Sequence, residues 1–219
     1  MSRLLRDAAL ALAACAASFA VPLAHAAPLT DAEIAKLCDS AEDEAHCGRM
    51  IEEVQLKRLP NLAQRRGDSL VIALFPSGSA TFVDSDDAVE GTSYTLWDYL
   101  DAINTVVLFT VHGERTAYTL VQRATNARTE VPSEPVVAPD RQHLVTADLC
   151  DGCSNELAVW RVSRDGVRKE LAWTAPRAWT GAVASWKDGA TVVVDYSTGA
   201  AAQSLTRKLD DPSWRRVAP

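Results

Sequence analysis

The sequence predicts a mainly β protein entered through a short helical hairpin, with its strands gathered into stacked antiparallel sheets. Apolar residues at helical spacing are confined to the stretch between Thr30 and Pro60. From Asp68 onward the pattern changes to short apolar or alternating runs rich in Val, Thr, Leu and aromatics, punctuated by turn residues. At 219 residues the chain has room for one sizeable core and not for two ordinary domains. Hydrophobic residues at 47% and charged residues at 23%, with only 10 Gly and 10 Pro, exclude a disordered or fibrous chain.

The first element is a leader. Arg3 and Arg6 precede an apolar run from Ala8 to Val21, followed by the small-residue site Ala24-His25-Ala26. That is the pattern of a secretory signal peptide over residues 1–26, too short for a spanning helix, and no later stretch reaches transmembrane length. Leu12-Ala13-Ala14-Cys15 offers a competing lipoprotein processing site with Cys15 acylated. The predicted location is therefore periplasmic, with an outer-membrane lipoprotein as the alternative. Cleavage after Ala26 removes two basic residues and one acidic residue, taking 22 and 29 to 20 and 28, a net charge of −8. Such a surface excludes long-range attraction to a nucleic acid backbone.

The hairpin comes next, over residues 27–66. Thr30 caps and Glu33 completes a capping box, with Ile34, Leu37, Cys38 and Ala41 on one face. Cys47, Met50, Ile51 and Val54 define a second helix that Pro60 ends. In an oxidising compartment the four mature cysteines form two disulfides, and the local pairings are Cys38 with Cys47 and Cys150 with Cys153. The first closes a loop of about ten residues, a constraint that contributes roughly 2.5 kcal/mol on the chain-entropy model and suits two short helices.

The β domain occupies residues 67–219. Leu70 to Phe75 and Ala80 to Asp84 flank Pro76-Ser77-Gly78-Ser79, and Thr105 to Val111 and Thr116 to Arg123 flank Gly113-Glu114. Further strands are expected over 143–148, 156–162, 168–173, 182–186, 190–196 and 204–208, with Asp165-Gly166 and Asp188-Gly189 as turns. Pro139-Asp140 leading into His143–Asp148 is echoed 48 residues later by Lys187-Asp188-Gly189 leading into Thr191–Asp195. A period of that order, with about four strands per unit, suits propeller blades.

The Pro139-Asp140 turn with its strand, and Leu157-Ala158-Val159-Trp160-Arg161-Val162 followed by Asp165-Gly166, resemble the repeats of TolB-type and WD40-like β-propellers over roughly residues 100 to 196. The resemblance implies a small or incomplete propeller and a binding surface in place of an active site. Arg141 and Gln142 stand where such repeats carry Gly, and a twisted β-sandwich is the alternative architecture.

Candidate chemistry is sparse. Cys150-Asp151-Gly152-Cys153 has C-x-x-C spacing, but Asp151 disfavours a thiolate and a strand, not a helix, follows, so a structural turn disulfide is the expectation. Zinc would need two more ligands from His46, His112 and His143, none at ligand spacing, and no metal or other cofactor is assigned. Asp84, Asp86, Asp87 and Glu90 lack the Asp or Asn and the Gly of a calcium loop, having Ala88 and Val89 instead, and read as a solvated hairpin loop. No nucleophile elbow, dinucleotide fingerprint or phosphate loop is present, and the carboxylate pair Asp98 and Asp101 has no readable spatial separation. Five of six Trp lie from Trp160 onward; Trp160 and Trp173 sit at strand positions that fill cores, and Trp179, in an expected loop, is the candidate partner contact.

The sequence thus points to an exported, non-enzymatic envelope module that binds a protein or another envelope component. An inhibitor or immunity protein against an envelope-acting toxin or hydrolase is one alternative, and a thiol-disulfide oxidoreductase using Cys150 and Cys153 is the other.

Overall fold

The computed structural model describes residues 28–85, 87, 91–150, 152–175, 179–199 and 201–218. The leader and Cys15 lie outside the described residues, as do Asp86, Ala88, Val89, Glu90 and Asp151.

Helix α1 (Asp31–Cys38) starts on the expected capping box: Glu33 N donates to Thr30 Oγ1 at 3.3 Å and Thr30 N donates to the Glu33 carboxylate at 2.8 Å. Helix α2 (Glu44–Arg58) is capped by Asp43, which accepts from His46 N at 2.8 Å. A Cys38–Cys47 disulfide with a Cα separation of 4.8 Å ties the two together. The hairpin ends at Arg58, before the expected boundary at residue 66. Residues Ala63–Arg66 are already the first strand, β1, because the two-residue turn Gly67-Asp68 folds them back on Ser69–Ala73 (β2) in register Ala63 to Ile72.

Apart from one C-terminal strand, every sheet is an antiparallel meander of neighbours in sequence. The first contains β1, β2 and β3 (Ser79–Val83). The second runs β4 (Thr92–Leu100), β5 (Thr105–His112), β6 (Arg115–Gln122) and β7 (Arg128–Val131). The third is built from β8 (Val136–Val137), β9 (His143–Asp148), β10 (Glu156–Ser163) and β11 (Gly166–Thr174), and the fourth from β12 (Thr180–Asp188), β13 (Thr191–Thr198) and β14 (Ala201–Lys208). The short β15 (Arg215–Arg216) returns to the free edge of β11. None of these sheets closes into a barrel.

The sheets stack in chain order, and strand periodicity shows how. In β5, Val106 and Leu108 pack toward the first sheet with Leu70, Ile72 and Phe82, while Val107 and Phe109 pack toward the third with Leu144, Ala158 and Trp160. In β10, Ala158 and Trp160 face the second sheet, and Leu157 and Val159 face Ala184, Val192 and Val194 of the fourth. Strand β5, between the first and third sheets, is covered on both faces, and its first six residues, Thr105 to Thr110, are all buried. The first and fourth sheets keep one wet face, and β3 alternates strictly between exposed and buried.

Helix α2 lies against β4, the edge strand of the second sheet. Gly48 makes the approach close: a Cβ there would stand 3.1 Å from Thr95 Oγ1 and 3.2 Å from the Phe109 ring. The helix also serves the strand's polar backbone. Leu96 N donates to Glu52 at 2.8 Å, Gln55 Nε2 donates to Trp97 O at 2.7 Å, and Arg49 donates to Tyr94 O at 3.2 Å.

Candidate binding cleft

A cleft of about 930 Å³ opens between the hairpin, the second sheet and the loops at one end of the third. Its rim carries both disulfides, although Cys38 and Cys47 are more than a hundred residues from Cys150 and Cys153 in sequence. The capping turn of α2 contributes Asp43 and Glu44, and the end of β9 with the following turn contributes Asp148, Cys150 and Cys153.

Three rings form the floor, one from each of β4, β5 and β6. Trp97, Phe109 and Tyr118 lie at centroid separations of 5.4 Å, with Tyr118 nearly perpendicular to Trp97 at 83°. Cross-strand pairing at Phe109 and Tyr118 sets this arrangement, and tilted contacts of this kind suit the ring quadrupoles. Glu134, on the loop after β7, accepts from Trp97 Nε1 at 2.8 Å. Burial pushes the Glu134 carboxyl above the usual carboxylate range against the pull of that bond, and the charges of Asp31 and Asp98 push it further up. Burial raises the Tyr118 hydroxyl too, with Glu134 and Glu44 adding to it. Ser133 Oγ, in the same wall, is out of solvent and has no hydrogen-bond partner.

Cys150 and Cys153 are disulfide-bonded at a Cα separation of 5.0 Å, across a turn in which Gly152 takes φ +82° and Cys153 N donates to Cys150 O at 3.2 Å. Asp148 accepts from Ser154 N at 2.9 Å and braces the turn. Asp148, Cys150 and Cys153 hold an oxygen and two sulfurs within 4.8 Å of one another, but with the sulfurs bonded to each other neither is a thiolate ligand.

His143 is not part of this group. It sits at the opposite end of β9, roughly 16 Å of strand from Asp148, with Nδ1 2.6 Å from Asp140 and Nε2 3.6 Å from Glu170. His112 is exposed and lies 2.6 Å from Thr92 Oγ1, and His46 Nδ1 accepts from Glu42 N at 3.2 Å in the α2 capping turn. Asp84 departs from the expected solvated loop: its side chain is largely covered, Arg49 and Arg65 pair with it and Tyr94 N donates to it at 2.8 Å. Neither Asp98 nor Asp101 lines the cleft.

Trp179 corrects an expectation. It is not a surface contact: its ring is buried, stacked on Tyr196 at 3.6 Å and 3° and 5.5 Å from Trp173. Trp160 is buried as anticipated, with its Nε1 donating to Thr146 Oγ1 at 2.9 Å. The aromatic residues that do line the cleft, Trp97, Phe109 and Tyr118, carry no motif, and their only signal is that they occupy three successive strands. No protein-family model matches the chain, and comparison with curated proteins finds no similar sequence.

Proposed function

We propose that the protein is an exported envelope module without catalytic activity, and that it binds its partner in the cleft between the hairpin and the second and third sheets. The observation that carries the reading is that both cysteine-closed segments border this one cleft, over a floor of aromatic rings. Cross-links placed at a rim hold its shape, and preorganised concave sites with a few polar groups are where ligands bind. Meanders stacked in chain order are also what blade-type repeats would produce. An inhibitor of an envelope enzyme would use the same cleft.

Export is tested by intact-mass measurement of the protein released by osmotic shock. A species beginning at Ala27 and four hydrogens lighter than the reduced chain supports the proposal, and one acylated at Cys15 replaces the periplasmic location by a lipoprotein. A cytosolic chain that keeps its leader and all five thiols free refutes it. Binding is tested with a photo-crosslinker at Thr116, on the cleft, and at Thr81, on the exposed face of the first sheet. Partner capture at Thr116 alone is expected; capture at both or only at Thr81 refutes the site.

The exposure of Cys150 keeps the oxidoreductase as a second reading. Asp148 beside the pair works against it, since a neighbouring carboxylate disfavours a thiolate. Alkylation after mild reduction separates the two, because an oxidoreductase requires a Cys150 thiol that reacts rapidly well below pH 8.

A further inference from the structure

We infer that the cleft recognises an organic cation, a guanidinium or alkylammonium group, held over the Trp97, Phe109 and Tyr118 rings against Glu134. This rests on the cleft being the binding site and names the chemistry it takes. Four carboxylates line it among the described residues, from Asp43, Glu44, Glu134 and Asp148, against one guanidinium, Arg115. An anionic ligand would meet that charge unfavourably, and a neutral one would leave it unused.

The rings decide between an organic cation and a metal ion. A hard cation wants several oxygens at close range, whereas a ring face attracts a weakly hydrated cation through its quadrupole. Here ring surface lies beside Glu134, one of whose oxygens is already fixed by Trp97 Nε1. Among the described residues no Lys, Arg or His forms an ion pair with Glu134, so no side-chain cation offsets this exposed carboxylate. A planar guanidinium answers both features, stacking on a ring while its N–H fork reaches a carboxylate. At about 930 Å³ the cleft has room for such a side chain and its flanking backbone.

The test is an NMR titration of the oxidised chain beginning at Ala27, following the indole N–H of Trp97. The probes are the acetylated, amidated tripeptide Gly-Arg-Gly, its citrulline counterpart, which has the same shape and no charge, and spermidine. The Arg peptide is expected to bind at least tenfold tighter than the citrulline peptide. Glu134→Gln keeps an acceptor for Trp97 and should weaken the Arg peptide at least fivefold. Glu44→Gln, on the exposed rim, serves as the second variant and should weaken it about twofold even if Glu134→Gln perturbs the fold. Tighter binding of the peptide assigns the cation to a partner's side chain, and tighter binding of spermidine assigns it to a free polyamine. Equal shifts with Arg and citrulline, or no saturable shift with either cation, overturn the inference. If a partner still cross-links at Thr116 without competition from the Arg peptide, the cleft survives as a binding site and only its charge selectivity fails.

Discussion

Glu52 and Arg65 are joined by two parallel hydrogen bonds, Nε to Oε1 and Nη2 to Oε2, each 2.8 Å long, with Glu52 only 3% exposed. The pair fastens α2 to β1. Arg49 and Asp84 extend it, and Leu96 N donates to Glu52 from β4. Removing one member of a buried pair strands the other's charge, so the pair must be broken or kept as a unit. Glu52→Ala should cost about 3–5 kcal/mol in urea unfolding. A double replacement of Glu52 and Arg65 by Leu and Met should cost markedly less than the single change. Equal losses would mean that the ion pair is not what holds the helix.

The Cys38–Cys47 staple constrains the unfolded chain more than it alters the folded one. Replacing both residues by Ser should cost about 2.5 kcal/mol, which lowers Tm by roughly 5–10 °C in a chain of this size. The far-UV β signal should be unchanged, because no sheet contains either cysteine. An unaltered melting curve would show that the hairpin stands without its bond.

Glu134 gives the cleft a pH signature. Its folded-state carboxyl titrates above the unfolded one because burial, with Asp31 and Asp98, disfavours its charge. The folded state therefore holds this proton longer, and the stability it contributes, present below about pH 4.5, is lost as pH rises through the folded-state value. Glu134→Gln should remove that loss, so its stability relative to the parent rises between pH 4 and pH 7. Parallel stability–pH curves for the two proteins would show that the carboxyl is well solvated.

Trp179→Ala should cost about 3–5 kcal/mol, since it deletes a buried ring from the core between the third and fourth sheets. Trp179→Phe, which keeps a ring to stack on Tyr196, should cost less than half as much. A change within 0.5 kcal/mol for Trp179→Ala, measured by urea unfolding, would place this side chain in solvent after all.

Local chemistry was legible wherever it was self-contained. The Thr30–Glu33 box, the turn at Gly113-Glu114 and the pairing of near-neighbour cysteines each depend on residues within a few positions of one another, whereas the turn expected at Asp165-Gly166 falls one residue earlier, on Arg164-Asp165. Strand β4 has no clear period in the sequence because a register shift between Leu96 and Asp98 breaks its alternation and both of its faces are partly covered. β7 and β8 are four and two residues long, too short for periodicity to register. The burial of Trp179 is invisible locally because the ring that covers it, Tyr196, arrives from the neighbouring strand. The cleft was illegible for the same reason: its lining spans Cys38 to Ala182, and only the stacking of sheets gathers it.

The hydrogen bonds from α2 to Leu96, Trp97 and Tyr94 fall on the side of β4 where, beyond a single bridge between Ser85 and Thr92, no strand of the described residues pairs with it. Side chains of a helix there stand in for a missing strand, and they deny the position to any other chain. A molecule clipped between the hairpin and Ala63 would bare a ready template for intermolecular pairing, and should self-associate into β-rich oligomers long before its core melts.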